Sequence, residues 1–125
     1  MMEIINTNNA PAPIGPYSQA TVAGNFVFVS GQIPLNPATG ELVTSGIKDE
    51  AVLVMENIKA ILTEAGIGFE NIVKTSIFLT DLGNFGQVNE VYGTYFTANF
   101  PARETVQVSA LPKGVNVEIS VIAVK

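Results

Sequence analysis

The chain has 125 residues, with six Lys or Arg against eleven Asp or Glu, a net charge of −5 and no Cys, His or Trp. Those absences exclude thiolate and disulfide chemistry, His-dependent catalytic triads and the usual sulfur and nitrogen ligands of zinc, copper and iron. The acidic balance argues against nonspecific nucleic-acid binding, which rests on neutralising phosphates. No carboxylates cluster at a calcium-loop spacing.

No apolar run reaches the length of a membrane span. Met1-Met2-Glu3-Ile4-Ile5 lacks the basic and apolar regions of a secretory leader. The expectation is a cytoplasmic protein with one domain over residues 1–125. Only 14% of the residues are charged, and the mean hydropathy is +0.35. A surface so poor in charge predicts self-association.

The segment Asn9 to Pro16 contains Pro11, Pro13 and Pro16. Each proline fixes φ and lacks an N–H, which bars helix and central strand and predicts an extended loop leading into Tyr17. Gln19 to Ala23 and Phe26 to Ser30 flank Gly24-Asn25, a two-residue turn signal for an antiparallel hairpin. Phe26-Val27-Phe28-Val29 is apolar throughout, which predicts a strand covered on both sides. Residues 31–46, with Pro34, Pro37, Gly40 and Gly46, read as loop.

Residues 47–65 predict a helix. Ala51, Val54, Met55, Ile58, Ile61, Leu62 and Ala65 follow the spacing of one apolar face. Asp49 and Glu50 sit at the positive end of its dipole, and Gly66 stops it. Ile72 to Leu79 is a β-branched strand. A second helix is predicted from about Asn84 to Thr97, with a stripe of Phe85, Val88, Val91, Tyr92 and Tyr95; Pro101 prevents its continuation. Thr105 to Val108 and Val115 to Val124 read as a closing hairpin joined through Leu111-Pro112-Lys113-Gly114.

This order gives an α+β fold, one mixed sheet with two helices packed on one face. Val117, Ile119 and Val121 alternate with Ile122 and Val124, so the second sheet face is also apolar and calls for a partner.

Arg103 is the only arginine. Its planar fork matches a carboxylate bidentately and stays charged at any working pH. The alternative is an ordinary surface ion pair. Glu118 lies inside the last strand, with Asn116, Ser120 and Ile122 expected on its face. An acid among apolar groups has a shifted pKa and can orient a water; the alternative is a solvated edge-strand glutamate.

Tyr17 is either a binding-site wall or a residue that packs its loop down. The Asn89 amide meets a polar ligand group or faces water. Ser30-Gly31 closes a strand where an exposed amide can bind an anion. Lys74 is a formal Schiff-base candidate, but nothing near it in sequence depresses its pKa, and it reads as solvated. Gly66-Ile67-Gly68 lacks the third glycine of a dinucleotide loop.

Spaced motifs in order over nearly the whole chain resemble the reactive intermediate deaminase family, RidA or YjgF. They are Ile14-Gly15-Pro16-Tyr17-Ser18-Gln19, Ser30-Gly31-Gln32-Ile33-Pro34, Asn57 to Leu62, Val73-Lys74-Thr75, Phe85 to Tyr92, Phe100-Pro101-Ala102-Arg103, and Leu111-Pro112-Lys113 through Val117-Glu118-Ile119.

The resemblance implies a chorismate-mutase-like fold and a homotrimer with inter-subunit clefts. It also implies hydrolysis of 2-aminoacrylate and 2-aminocrotonate, or their imines, to 2-oxo acids and ammonia without a cofactor. Arg103 then binds the substrate carboxylate and Glu118 handles the attacking water. Tyr17, Ser30, Gly31 and Asn89 line the cleft, with Thr105 where some relatives carry Cys. The residue after the family arginine is usually small but here is Glu104, which strand alternation should turn away from Arg103.

Two other classes remain: a non-catalytic module that binds 2-oxo acids and regulates a partner, and an RNA-cleaving protein. The charge, the single arginine and the missing histidine weigh against the second. No nucleic-acid or membrane partner is expected.

Overall fold

A computed structural model describes residues Met2–Lys125. Its strands are β1 (Glu3–Ile5), β2 (Ala20–Ala23), β3 (Phe26–Gln32), β4 (Ile72–Leu79), β5 (Ala102–Gln107) and β6 (Val117–Val124). Its helices are α1 (Ile47–Glu64) and α2 (Phe85–Gly93). The strands form one mixed sheet in the order β1-β2-β3-β6-β4-β5. Only the β4–β5 pair is parallel.

The hairpin forms as the sequence predicts. Ala23 pairs with Phe26 around the turn, and Gly24 supplies the positive φ of 60° that a β-carbon would disfavour. The α1 stripe also holds: Val54, Ile58, Ile61 and Leu62 are fully buried. They pack over Val27, Val117, Ile119 and Ala123 in the core. Burying each such side chain is worth about 1.5–3 kcal/mol.

Four expectations are corrected. The last two strands are not a hairpin, because β4 lies between β5 and β6. Parallel pairing of β5 with β4 needs a crossover, which α2 supplies. Strand β5 also begins at Ala102, so Arg103 lies inside it, in register with Thr75.

Helix α2 stops at Gly93 instead of about Thr97. Thr94, Tyr95 and Phe96 donate to the carbonyls three residues back, and the Thr94 hydroxyl donates to Val91 O. This tightened last turn satisfies the helix's free carbonyls. It also folds Tyr95 and Phe96 onto Phe69.

Strand β3 is covered on one side only within the chain. Val27 and Val29 are buried, whereas Phe26 and Phe28 are 48% and 43% exposed. The helices cover one sheet face, and the outer face carries Ile4, Phe26 and Phe28 in the open.

Strand β1 has no strong sequence signal and forms by pairing with β2. Two buried amides tie the loops down. Gln19 Nε2 donates to the carbonyls of Thr7, Ala10 and Pro11, while its Oε1 accepts from Thr7 N at 2.7 Å. Asn57 of α1 donates to Ile33 O and Leu35 O, holding the loop that follows β3.

Candidate functional site

Helix α2 presents Phe85, Asn89 and Tyr92 at i, i+4 and i+7, one face of a helix. Arg103 lies beneath that face. Its Nη1 donates to Asn89 Oδ1 at 2.7 Å. Its guanidinium carbon stands 5.0 Å from the Tyr92 ring centroid and 5.5 Å from that of Phe85. The Tyr92 hydroxyl donates to Thr75 Oγ1 at 2.9 Å. Burial pushes the Tyr92 phenol up, opposed by the Thr75 hydrogen bond and the Arg103 charge.

Among the described residues no carboxylate pairs with Arg103. Asn89, Tyr92, Gly93, Phe100, Pro101 and Arg103 line a cavity of about 500 Å³. The half-buried cation therefore has a neutral amide and two rings for neighbours, and a site beside it suited to an anion.

Glu118 stands elsewhere. It pairs with Phe78 of β4, whereas Arg103 pairs with Thr75, an odd number of residues away. Side chains alternate along a strand, so Arg103 faces the helices and Glu118 the outer side. There Glu118 lies against Gly31, where an added β-carbon would come within 2.6 Å of its Oε2. The missing side chain at Gly31 makes room for the carboxylate.

Ser30 and Gly31 fall in a register shift between β3 and β6, a bulge that turns backbone away from the ladder. Ile14, Tyr17, Ser30, Gly31, Ile33, Pro112 and Glu118 line a second cavity, of about 360 Å³. Burial raises the Glu118 carboxyl above the ordinary glutamate value. The Ser30 hydroxyl donates to Ser18 O at 2.6 Å. Tyr17 Oη accepts from Ile14 N at 3.4 Å.

The sequence candidates thus divide into two groups, Arg103 with Asn89 on one sheet face and Tyr17, Ser30, Gly31 and Glu118 on the other. Thr105 follows Arg103 on the helix face opposite Ile77. Its Oγ1 is buried and has no hydrogen-bond partner among the described residues. Asn116, expected beside Glu118, precedes β6 and donates instead to Glu50 of α1 at 3.2 Å.

Glu104 turns away from Arg103, as alternation predicts. It pairs with Lys74 at 3.1 Å and accepts from the Ser76 hydroxyl. The Ser76 hydrogen bond, then Lys74, holds its carboxyl below the ordinary glutamate value. Lys74 is thereby an ion-pair partner of Glu104 on the outer face.

A third cavity, of about 530 Å³, lies along the outside of α1 by Leu53, Glu56 and Lys59 and holds none of these candidates. No helix among the described residues is long and apolar enough to cross a membrane. No three acidic side chains among them converge on a metal-sized space.

The residues that reasoning from sequence missed are Tyr92 and Phe85, read there as core stripe, and Gln19. A signal for the first two existed: Asn89 interrupts the apolar face four residues after Phe85 and three before Tyr92.

These features define a class, a small α+β protein with an anion-seeking cavity on one sheet face and an acidic one on the other. A family model described as Endoribonuclease L-PSP matches residues 7–125. The chain belongs to that family, the RidA/YjgF family. It is 54% identical to a RutC family protein of Pyrococcus horikoshii, over 100% of this chain and 99% of that relative. It is 49% identical to the 2-iminobutanoate/2-iminopropanoate deaminase of Rattus norvegicus, over 98% and 90%. The crystal structure of E. coli TdcF with bound serine superposes with a TM-score of 0.94 at 47% identity, covering 98% of both chains.

Proposed function

We propose that this protein hydrolyses 2-imino acids, the tautomers of 2-aminoacrylate and 2-aminocrotonate, to 2-oxo acids and ammonia. The observation that carries the reading is Arg103: a fixed cation with one neutral polar partner, beside an open cavity. Such a group favours a carboxylate, and each charge-assisted hydrogen bond is worth roughly 1.5–3 kcal/mol. Relatives at 46–49% identity named 2-iminobutanoate/2-iminopropanoate deaminase support the choice of substrate.

The site is completed by a second copy, whose Tyr17–Gly31–Glu118 cavity is brought against the Arg103 cavity of the first. The separation of the two groups across the sheet and the uncovered apolar outer face support this reading. The assembly is a homotrimer, which gives three equivalent clefts.

Arg103 holds the carboxylate, and water adds to the imine carbon. Glu118 accepts the proton of that water and returns it to nitrogen. The carbinolamine hydroxyl then gives up its proton, which Glu118 passes to the nitrogen, and as the C–N bond breaks ammonia departs and the C=O of the 2-oxo acid forms. A carboxyl raised by burial suits this exchange, because its proton affinity moves toward the working pH. The chemistry asks for placement and proton transfer, with no organic cofactor.

A serine or threonine dehydratase that generates the enamine provides the test. Added protein should speed 2-oxo acid formation, and Arg103→Ala should abolish the gain. Arg103→Lys should also lose most of it, because a point charge lacks the fork. Binding of 2-oxobutyrate with no acceleration over either substrate would favour the alternative, a non-catalytic 2-oxo acid module.

A further inference from the structure

We propose that Tyr92 is a positioning residue for Arg103, anchored by Thr75 so that its ring face fixes the plane of the guanidinium. The inference rests on the reading of Arg103 as the carboxylate-binding group.

Thr75 and Arg103 are cross-strand neighbours on the same face of the β4–β5 pair. Tyr92 reaches down from α2 over both. Its hydroxyl bonds Thr75 Oγ1 at 2.9 Å, and its ring centroid stands 5.0 Å from the Arg103 guanidinium carbon. Thr75 is fully buried and Tyr92 only 4% exposed, so the anchor has no water to compete with it.

The ring therefore keeps one orientation. A ring face attracts a cation and excludes water from that side. Asn89 takes one Nη1 hydrogen and fixes rotation within the plane. With Nη1 taken by Asn89, Nε and Nη2 are left for two parallel bonds to a carboxylate. Without the ring, Arg103 still carries its charge but loses the pre-set fork.

Arg103 is the only arginine in the chain, so a ¹⁵N-labelled sample gives a single Nε–Hε correlation. In the wild type that resonance should be displaced from the free-arginine position by the Tyr92 ring current. Tyr92→Leu should return it toward the free position. Tyr92→Phe, which keeps the ring and loses the Thr75 bond, should leave it between the two. The amide spectrum checks folding, and Tyr92→Phe decides the matter if Tyr92→Leu fails to fold.

Binding is read with 2-oxobutyrate and its neutral amide. Tyr92→Leu should cut the preference for the carboxylate about tenfold, the size of one desolvated cation–ring contact. KM should rise by a similar factor, with kcat changed far less. A purely structural role would weaken both ligands equally. That result, or a wild-type-like Arg103 resonance in Tyr92→Leu, overturns the proposal. If the wild type neither binds nor turns over these compounds, the reading of function fails, and the Arg103 resonance still decides whether Tyr92 orients the guanidinium.

Discussion

Arg103 and Glu118 stand on opposite faces of one sheet, three positions apart along the register of β4. Strand alternation forbids their meeting within a single chain. A substrate that touches both needs a second copy. Sedimentation of the purified protein should give a species near 40 kDa, three times the chain's 13.2 kDa. A species of one chain's mass, still active, would refute the shared site.

Glu118 should weaken the fold it serves. Burial raises its carboxyl in the folded state. A raised carboxyl contributes stability that is fully present below the unfolded-state value and lost as pH rises through the folded value. Above the ordinary glutamate value that contribution falls, and a side chain that cannot ionise avoids the cost of burying a charge. Glu118→Gln should melt higher than the wild type at pH 7, with the difference vanishing below about pH 4.5, the ordinary glutamate value. Turnover should fall by about a hundredfold or more, the usual contribution of a proton-transferring group. A lower melting point at pH 7 would contradict the argument.

Glu104 follows the arginine but belongs to another surface. Lys74 and Ser76 hold it on the outer face. Glu104→Ala should leave KM within about twofold, as for substitutions away from the site. A tenfold drop in KM would mean that its charge repels the substrate.

Gln19 is the anchor of the proline loop. It is 2% exposed and bonds four backbone groups across residues 7 to 11. Gln19→Leu keeps the size and strands those groups, which should cost about 2–4 kcal/mol. Melting should drop by about 10 °C. Turnover should fall too, because Tyr17 rides on the same loop. Unchanged melting would show that water replaces the amide.

Much of this was legible in the sequence. The α1 stripe, the Gly24-Asn25 turn and the apolar Ile72–Leu79 run each carry a local period or turn signal, and each formed where read. The pairing of β5 was not legible. Its strand pattern is short, and nothing local tells a closing hairpin from a crossover to β4. Strand β1 likewise exists through its partner.

Among the candidate residues, Arg103 and Glu118 stood out by rarity and context, and Glu104's direction followed from alternation. Their separation across the sheet emerged only with the register. Tyr92 was hidden because a buried aromatic in a helix stripe reads as core, and only its neighbours reveal the cation beneath it.

The central claim is that one copy's Arg103 works with another copy's Glu118, and subunit mixing tests it most directly. Arg103→Ala and Glu118→Ala should each be inactive alone. After joint unfolding and refolding in equal amounts, about a quarter of the interfaces should pair an intact arginine with an intact glutamate. The account predicts about that fraction of wild-type turnover in the mixture. A mixture as inactive as its parents, with mixed assemblies shown to have formed, would contradict it.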